Sequence, residues 1–167
     1  FAPIRLHLSS SASRASSGWV RGPAPYNTGM PILLFDIDGT LVRTGGAGKA
    51  AMEAALAAEF GVGAVRDTVS YSGRTDRAIA RDLLAVHGIE PTRANEDRLR
   101  DAYLARLPDA LRERPGQTCP GIPDLLAALR PRGGVVLGLL TGNVRRGAAH
   151  KLGHFGLWDY FACGGFG

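Results

Sequence analysis

Two carboxylates, Asp36 and Asp38, stand two residues apart in PILLFDIDGTLVRT, residues 31–44, directly behind the apolar run Pro31–Phe35. Burying a carboxylate without a partner costs several kcal/mol, so a strand that feeds straight into two acids calls for a counter-charge. A divalent cation would supply it. Hard oxygen donors suit Mg²⁺, which takes one or two carboxylates and completes its shell with water and substrate phosphate. Read as chemistry, one carboxylate serves as a nucleophile and the other moves a proton. A second group of residues lies in GVVLGLLTGN, residues 134–143, where Thr141 closes an apolar run. Its hydroxyl, with the backbone N–H groups of Gly142 and Asn143 at the start of a helix, would cradle an anion. Lys151, eight residues beyond Asn143, can bring a point charge to the same oxygens.

Each of these signals also has a plain structural reading. Asp-Gly favours turns, Asn143 suits a helix N-cap, and a lone lysine is usually a solvated surface residue. Their occurrence together, in order, favours the chemical reading. Arg74, in SGRTD, could reach a substrate's leaving group, although an N-cap at Thr75 or Asp76 explains the same residues. GGAGKA is not a phosphate-binding P-loop, because Arg43 stands where that motif needs Gly and Ala50 where it needs Ser or Thr. His87, His150 and His154 have no ligand spacing with acids or cysteines and read as structural.

The elements that must position these groups are legible from periodicity. A strand is expected over 31–37, then a Gly-rich connection and an Ala-rich helix over 47–60 ended by Gly61. Ile79, Leu83, Leu84 and Val86 recur at helical spacing, with Gly88 as the stop. A further helical stretch begins near Pro91 and is expected to break near Pro108. A short helix over 122–130, a buried strand over 135–140, a helix over 143–152 and a strand over 160–163 complete the pattern. Strands separated by helices indicate a parallel α/β sheet, and ligands bind such sheets at the carboxyl ends of the strands. The segment between the first two strands is too long for one crossover and reads as an inserted helical cap. Gly45, Gly46 and Gly48 on one side and Pro115-Gly116 with Pro120-Gly121 on the other mark its linkers.

The chain has 167 residues and a formal charge of +5, from 20 basic and 15 acidic residues. Arg5, Arg14 and Arg21 lie in an acid-free, Ser-rich opening; setting those three aside leaves 17 against 15, a balance of +2. The remaining arginines form no compact block and do not interleave with aromatics, so nucleic acid is not an expected partner. Residues 1–29 read as an extension ahead of a start at Met30. Their composition also fits an organellar transit segment, which would redirect an otherwise cytoplasmic protein. No apolar run is long enough for a transmembrane helix, so no membrane partner is expected. Cys119 and Cys163, without CxxC spacing, read as reduced thiols.

DIDGT, LLTGN and the lysine of GAAHKLGHFGL resemble the first three motifs of the haloacid dehalogenase-like phosphohydrolase superfamily. The inserted helices are similar to the helical cap of its phosphoglycolate phosphatase-like branch. The resemblance covers about residues 30–167 and implies a three-layer Rossmann-like α/β fold with a parallel sheet and an inserted α-helical cap. Its domain limits would be a core of 30–46 and 117–167 and a cap of 47–116. It further implies that Asp36 attacks phosphorus to form an aspartyl-phosphate, and that Asp38 protonates the leaving oxygen and then activates water. Mg²⁺ would be held by the Asp36 carboxylate and the Asp38 backbone carbonyl, with Thr141 and Lys151 binding the phosphoryl group. The family's fourth motif, an acidic pair behind a later strand, has no counterpart after Asp159. The sequence therefore reads as C-terminally truncated, with an incomplete sheet and a weakened metal site. The expected function is Mg²⁺-dependent hydrolysis of a small phosphorylated metabolite. A phosphomutase, or a non-catalytic fragment, is the alternative; a dehalogenase typically lacks the second acid of DIDGT.

Overall fold

The computed structural model describes residues 31–66, 68–130 and 134–167, and the expectations for residues 1–29 and for a start at Met30 lie outside them. In chain order the elements are β1 (Ile32–Phe35), β2 (Val42–Arg43), α1 (Ala47–Phe60), α2 (Asp76–Val86), α3 (Arg93–Glu113), β3 (Gln117–Thr118), α4 (Ile122–Leu129), β4 (Val136–Thr141), α5 (Arg145–His154) and β5 (Cys163–Phe166). The sheet is parallel, in the order β1–β4–β5, with Phe35 opposite Leu139 and Thr141 opposite Phe166. This is the α/β fold expected, with α1 to α3 inserted between β1 and β4.

Two apolar clusters hold the chain together. One lies wholly between Ala47 and Leu111, where Ala51, Met52, Ala55 and Leu56 of α1 meet Leu99, Tyr103 and Leu107 of α3. The alanine stripe of α1 lets the two helix axes approach closely. The other joins Ile37, Leu41 and Val42 to Ile122 and Leu126 of α4, Leu137 and Leu139 of β4, and Ala148 and Leu152 of α5. Among the described residues one face of the sheet is left uncovered: Ile32, Leu34 and Leu140 are 57%, 55% and 60% exposed.

Four details of the sequence reading are corrected. No break occurs at Pro108, and α3 runs through it from Arg93 to Glu113. An interior proline costs about 3 kcal/mol. The buried side chains of Leu104, Leu107 and Leu111 each return about 1.5–3 kcal/mol on this same helix. The third core strand begins at Cys163 rather than Tyr160, because Trp158–Tyr160 form a 3₁₀ turn and the weak strand formers Gly164 and Gly165 pair with β4. Helix α5 starts two residues later than expected, at Arg145. Gly48 belongs to the first turn of α1 and not to a linker.

The linkers themselves make an unforeseen contact. β2 and β3 pair antiparallel, Val42 with Thr118 and Arg43 with Gln117, so the chain enters and leaves the helical insertion through one two-stranded tie. Gly45 has φ +61°, and a Cβ there would fall 2.5 Å from the Pro115 carbonyl oxygen. Only glycine allows that approach. Among the described residues no helix is long and apolar enough to cross a membrane.

Candidate active site

β1 stops at Phe35 because the chain folds back at once. The Ile37 carbonyl accepts the N–H groups of Thr40, Leu41 and Val42 at 3.3, 2.9 and 3.1 Å, and Gly39 N–H donates to the Val42 carbonyl at 2.8 Å. Gly39, at φ +82°, supplies the left-handed residue that this turn requires. Ile37 is thereby buried in the core while its neighbours Asp36 and Asp38 emerge at the carboxyl end of the sheet. The strand is shorter than the expected 31–37 for this reason.

The two acids have unlike surroundings. The Asp38 carboxylate accepts hydrogen bonds from Lys151 Nζ at 2.7 and 2.9 Å and from Asn143 Nδ2 at 2.8 Å. Asp36, among the described residues, has no hydrogen bond or ion pair and opens onto a cavity of about 630 Å³. One carboxylate is held and the other is unengaged.

Thr141 and Asn143 order each other. Asn143 Nδ2 donates to Thr141 Oγ1 at 2.8 Å, and the Asn143 backbone N–H donates to the same oxygen at 3.3 Å. The Thr141 oxygen is used as an acceptor, so its O–H proton is left to donate to a ligand. Turning the Asn143 amide over would set its oxygen against the Asp38 carboxylate, so the charge next door fixes its orientation. Its Oδ1 is buried without a hydrogen-bond partner among the described residues. Asn143 does not cap α5; that position falls to Val144, whose side chain cannot accept a hydrogen bond. Lys151, only 5% exposed, is packed against Gly48 of α1, where a Cβ would lie 3.5 Å from its Nζ.

Asp36, Asp38, Arg74, Thr141, Gly142, Asn143 and Lys151 all line the one 630 Å³ cavity, at the meeting of the helical insertion and the sheet. Arg74 reaches it while paired to Asp82 at 2.6 Å, and Thr75 is the N-cap of α2, its Oγ1 accepting the Ala78 N–H at 3.2 Å. The His87 ring lies 3.0 Å from the Leu83 carbonyl, and its Nε2 accepts the Arg66 N–H at 3.1 Å.

Asp76 and Tyr103 are among the lining residues that the sequence reading did not place in the site. Val144 N–H donates to Asp76 Oδ2 at 2.9 Å, and Asp76 N–H donates to the Gly142 carbonyl at 2.8 Å. Burial pushes the Asp76 carboxyl above the usual range; Lys151 and the Val144 N–H pull it back, and Asp38 adds to the rise. Burial likewise pushes the Tyr103 phenol well up, with Asp76 and Asp38 contributing. The sequence carried one hint of Asp76, a helix preceded by Val144 where an oxygen-bearing cap is usual.

The donor set fits a hard cation in part. Asp36 is an unengaged carboxylate, and the loop's hydrogen bonds use the carbonyls of Ile37 and Val42 while leaving that of Asp38 out. Among the described residues no third His, Cys, Asp or Glu joins them. Two oxygens with water and phosphate suffice for Mg²⁺, which seldom relies on an all-protein cage.

Solved structures share this architecture. CbbY from Rhodobacter sphaeroides in complex with phosphate superposes with a TM-score of 0.67 at 23% identity, over 83% of this chain and 64% of its own. A point mutant of the same protein with xylulose-1,5-bisphosphate gives 0.66 at 23%, over 83% and 64%. A protein of Haemophilus somnus described as a predicted phosphoglycolate phosphatase gives 0.56 at 18%, over 83% and 63%. YfnB of Bacillus subtilis, bound to magnesium, gives 0.50 at 20%, over 83% and 65%. At such identities the likeness establishes the fold, and this chain spans less than two thirds of each of these proteins. No curated protein sequence matches. The sequence model of the haloacid dehalogenase-like hydrolases matches residues 30–166, and the chain belongs to that family.

Proposed function

We propose that the site hydrolyses a small phosphorylated metabolite through an aspartyl-phosphate, with Asp36 as the nucleophile. The observation that carries this reading is the asymmetry of the two acids: Asp36 is unengaged at the cavity, while Asp38 is held by Lys151 and Asn143. A carboxylate that must form a bond to phosphorus needs its lone pairs free. A carboxyl that must pass a proton in one direction needs its orientation fixed.

In the first step, which Asp38 enters carrying a proton, an Asp36 oxygen bonds to phosphorus, the bond to the leaving oxygen breaks, and Asp38 gives that oxygen the proton. In the second, Asp38 takes a proton from water, the water oxygen bonds to phosphorus, and the bond to Asp36 breaks. Phosphate leaves and both residues return to their starting state. The Thr141 O–H, the Gly142 and Asn143 region of the loop and Lys151 bind the transferred group, and Arg74 faces the rest of the substrate. When bound by the Asp36 carboxylate and the Asp38 carbonyl, Mg²⁺ would neutralise charge on the phosphoryl oxygens. Residues 47–116 act as a cap over a core of 30–46 and 117–167. The phosphate and xylulose-1,5-bisphosphate complexes of CbbY, and the magnesium of YfnB, support this ligand class and this cation.

The test is hydrolysis of p-nitrophenyl phosphate with and without Mg²⁺, for the protein and for Asp36→Asn. The amide keeps the shape of the carboxylate but cannot attack phosphorus. We expect turnover that requires Mg²⁺ and is abolished in the variant. Retention of more than a few per cent of activity in a preparation free of deamidation would remove Asp36 from the nucleophile's role.

A further inference from the structure

Asp76 belongs to the helical insertion, yet its hydrogen bonds run to the loop of the sheet that holds Thr141 and Asn143. Its N–H donates to the Gly142 carbonyl at 2.8 Å, and its Oδ2 accepts the Val144 N–H at 2.9 Å, so one residue grips the loop on both sides of Asn143. The carboxylate is spare for this purpose because Thr75 already caps α2. The Val144 N–H needs it, because the third residue of α5, which could reach back to that N–H as Glu or Gln, is Gly147.

The fit is close on both sides. A Cβ at Gly142 would lie 2.5 Å from the Arg74 carbonyl oxygen, and one at Gly147 would lie 3.4 Å from Asp76 Oδ2 and 3.5 Å from the Tyr103 hydroxyl. Tyr103, 1% exposed, backs the contact from α3.

We propose that Asp76 is a positioning residue that sets the shape of loop 141–144 from the helical insertion, so that the anion cradle is complete only when insertion and sheet are docked. The proposal rests on the reading of that loop as a phosphate cradle. Asp76 touches no reacting atom in this scheme. It acts through the Val144 N–H and the Gly142 carbonyl, and through them on the direction of the Thr141 hydroxyl and of the Gly142 and Asn143 N–H groups. Its acceptor oxygen matters and its charge does not.

The experiment compares the protein with Asp76→Ala and Asp76→Asn by amide hydrogen exchange and by titration with inorganic phosphate followed by NMR. Asparagine keeps an acceptor for Val144 and alanine does not. Asp76→Ala should speed Val144 exchange at least about tenfold and weaken phosphate binding about 5- to 30-fold, the equivalent of about 1–2 kcal/mol and the scale of one lost hydrogen bond. Asp76→Asn should leave both within about threefold. Normal phosphate affinity in Asp76→Ala, despite faster exchange, would reduce Asp76 to a structural stitch and overturn the proposal. Equal losses in the two variants would show that charge matters and would overturn it as well. Exchange at Val144 needs no ligand. If phosphate bound nowhere in the parent protein, the cradle reading would fall, and Asp76 would still be judged: unchanged exchange in Asp76→Ala refutes the tether.

Discussion

Gly45→Ala and Gly46→Ala form a matched pair that tests the tie between the two linkers. Both glycines have positive φ, +61° and +82°, so alanine meets a similar backbone cost at each, about 1–2 kcal/mol for the left-handed region. They differ in space. At Gly46 the nearest atom to an added Cβ is the Arg114 guanidinium at 3.8 Å, an ordinary contact at the end of a flexible side chain. At Gly45 the added Cβ would lie 2.5 Å from the Pro115 oxygen and 3.0 Å from its carbonyl carbon, both backbone atoms. The exit linker must then move, and overpacking of this kind adds about 1–3 kcal/mol. Gly46→Ala should therefore cost about 1–2 kcal/mol and Gly45→Ala about 2–5 kcal/mol. At about 2–4 °C per kcal/mol for a chain of this size, the first lowers Tm by about 2–8 °C and the second by about 4–20 °C. Thermal melts followed by circular dichroism in one buffer provide the assay. Equal shifts in the two variants would refute the close approach of the linkers. Proline at Gly46, which removes an N–H and imposes φ near −65°, conflicts with the observed +82° and should destabilise rather than merely stiffen the linker.

Asp38→Asn should cut turnover of p-nitrophenyl phosphate by about 10²–10⁴ while the Mg²⁺ requirement changes little, because the cation is assigned to the Asp38 main-chain oxygen. A large rise in the Mg²⁺ requirement at near-normal turnover would reverse that assignment. Thr141→Val removes the hydroxyl proton reserved for the anion and should weaken inorganic phosphate binding about tenfold by isothermal titration; unchanged affinity would exclude the hydroxyl as a ligand group. Glu96, buried on α3, takes a hydrogen bond from Arg81 at 2.8 Å, which holds its carboxyl below the usual range, with Arg77 adding to the effect. Since its folded value is depressed, its contribution is present above the unfolded value and is lost as pH falls through the folded one. Glu96→Gln should flatten the acid side of the Tm–pH profile, and an unaltered acid limb would remove Glu96 from the acid response. Ile32→Lys and Leu34→Lys, on the uncovered sheet face, should raise the concentration at which the protein stays monomeric in light scattering; a lower limit would count against that face as the sticky one.

Much of the candidate site was legible along the chain. Asp36, Asp38, Thr141, Asn143 and Lys151 sit at strand ends or one helix beyond, and the alternation of strands and helices specifies that such ends meet at one edge of a parallel sheet. Periodicity also located α2, because helical spacing of apolar residues is a local property that burial then rewards, and the Ala-rich composition with its Gly61 stop located α1. Other features depended on partners distant in sequence. Pro108 breaks an isolated helix, but Leu104, Leu107 and Leu111 are buried around it, and their packing outweighs a local penalty. Cys163–Phe166 has the composition of a turn and becomes a strand only because β4 offers it a ladder. The unlike surroundings of Asp36 and Asp38 follow from Lys151 and Asn143, more than 100 residues away, reaching one carboxylate and not the other. The same holds for Asp76, whose hydrogen bonds to Gly142 and Val144 join residues more than 60 positions apart in the chain. Spacing along a chain selects residue types and strand ends. Which oxygen receives which proton is decided by side chains brought within hydrogen-bond distance, and that distance exists only in the folded molecule.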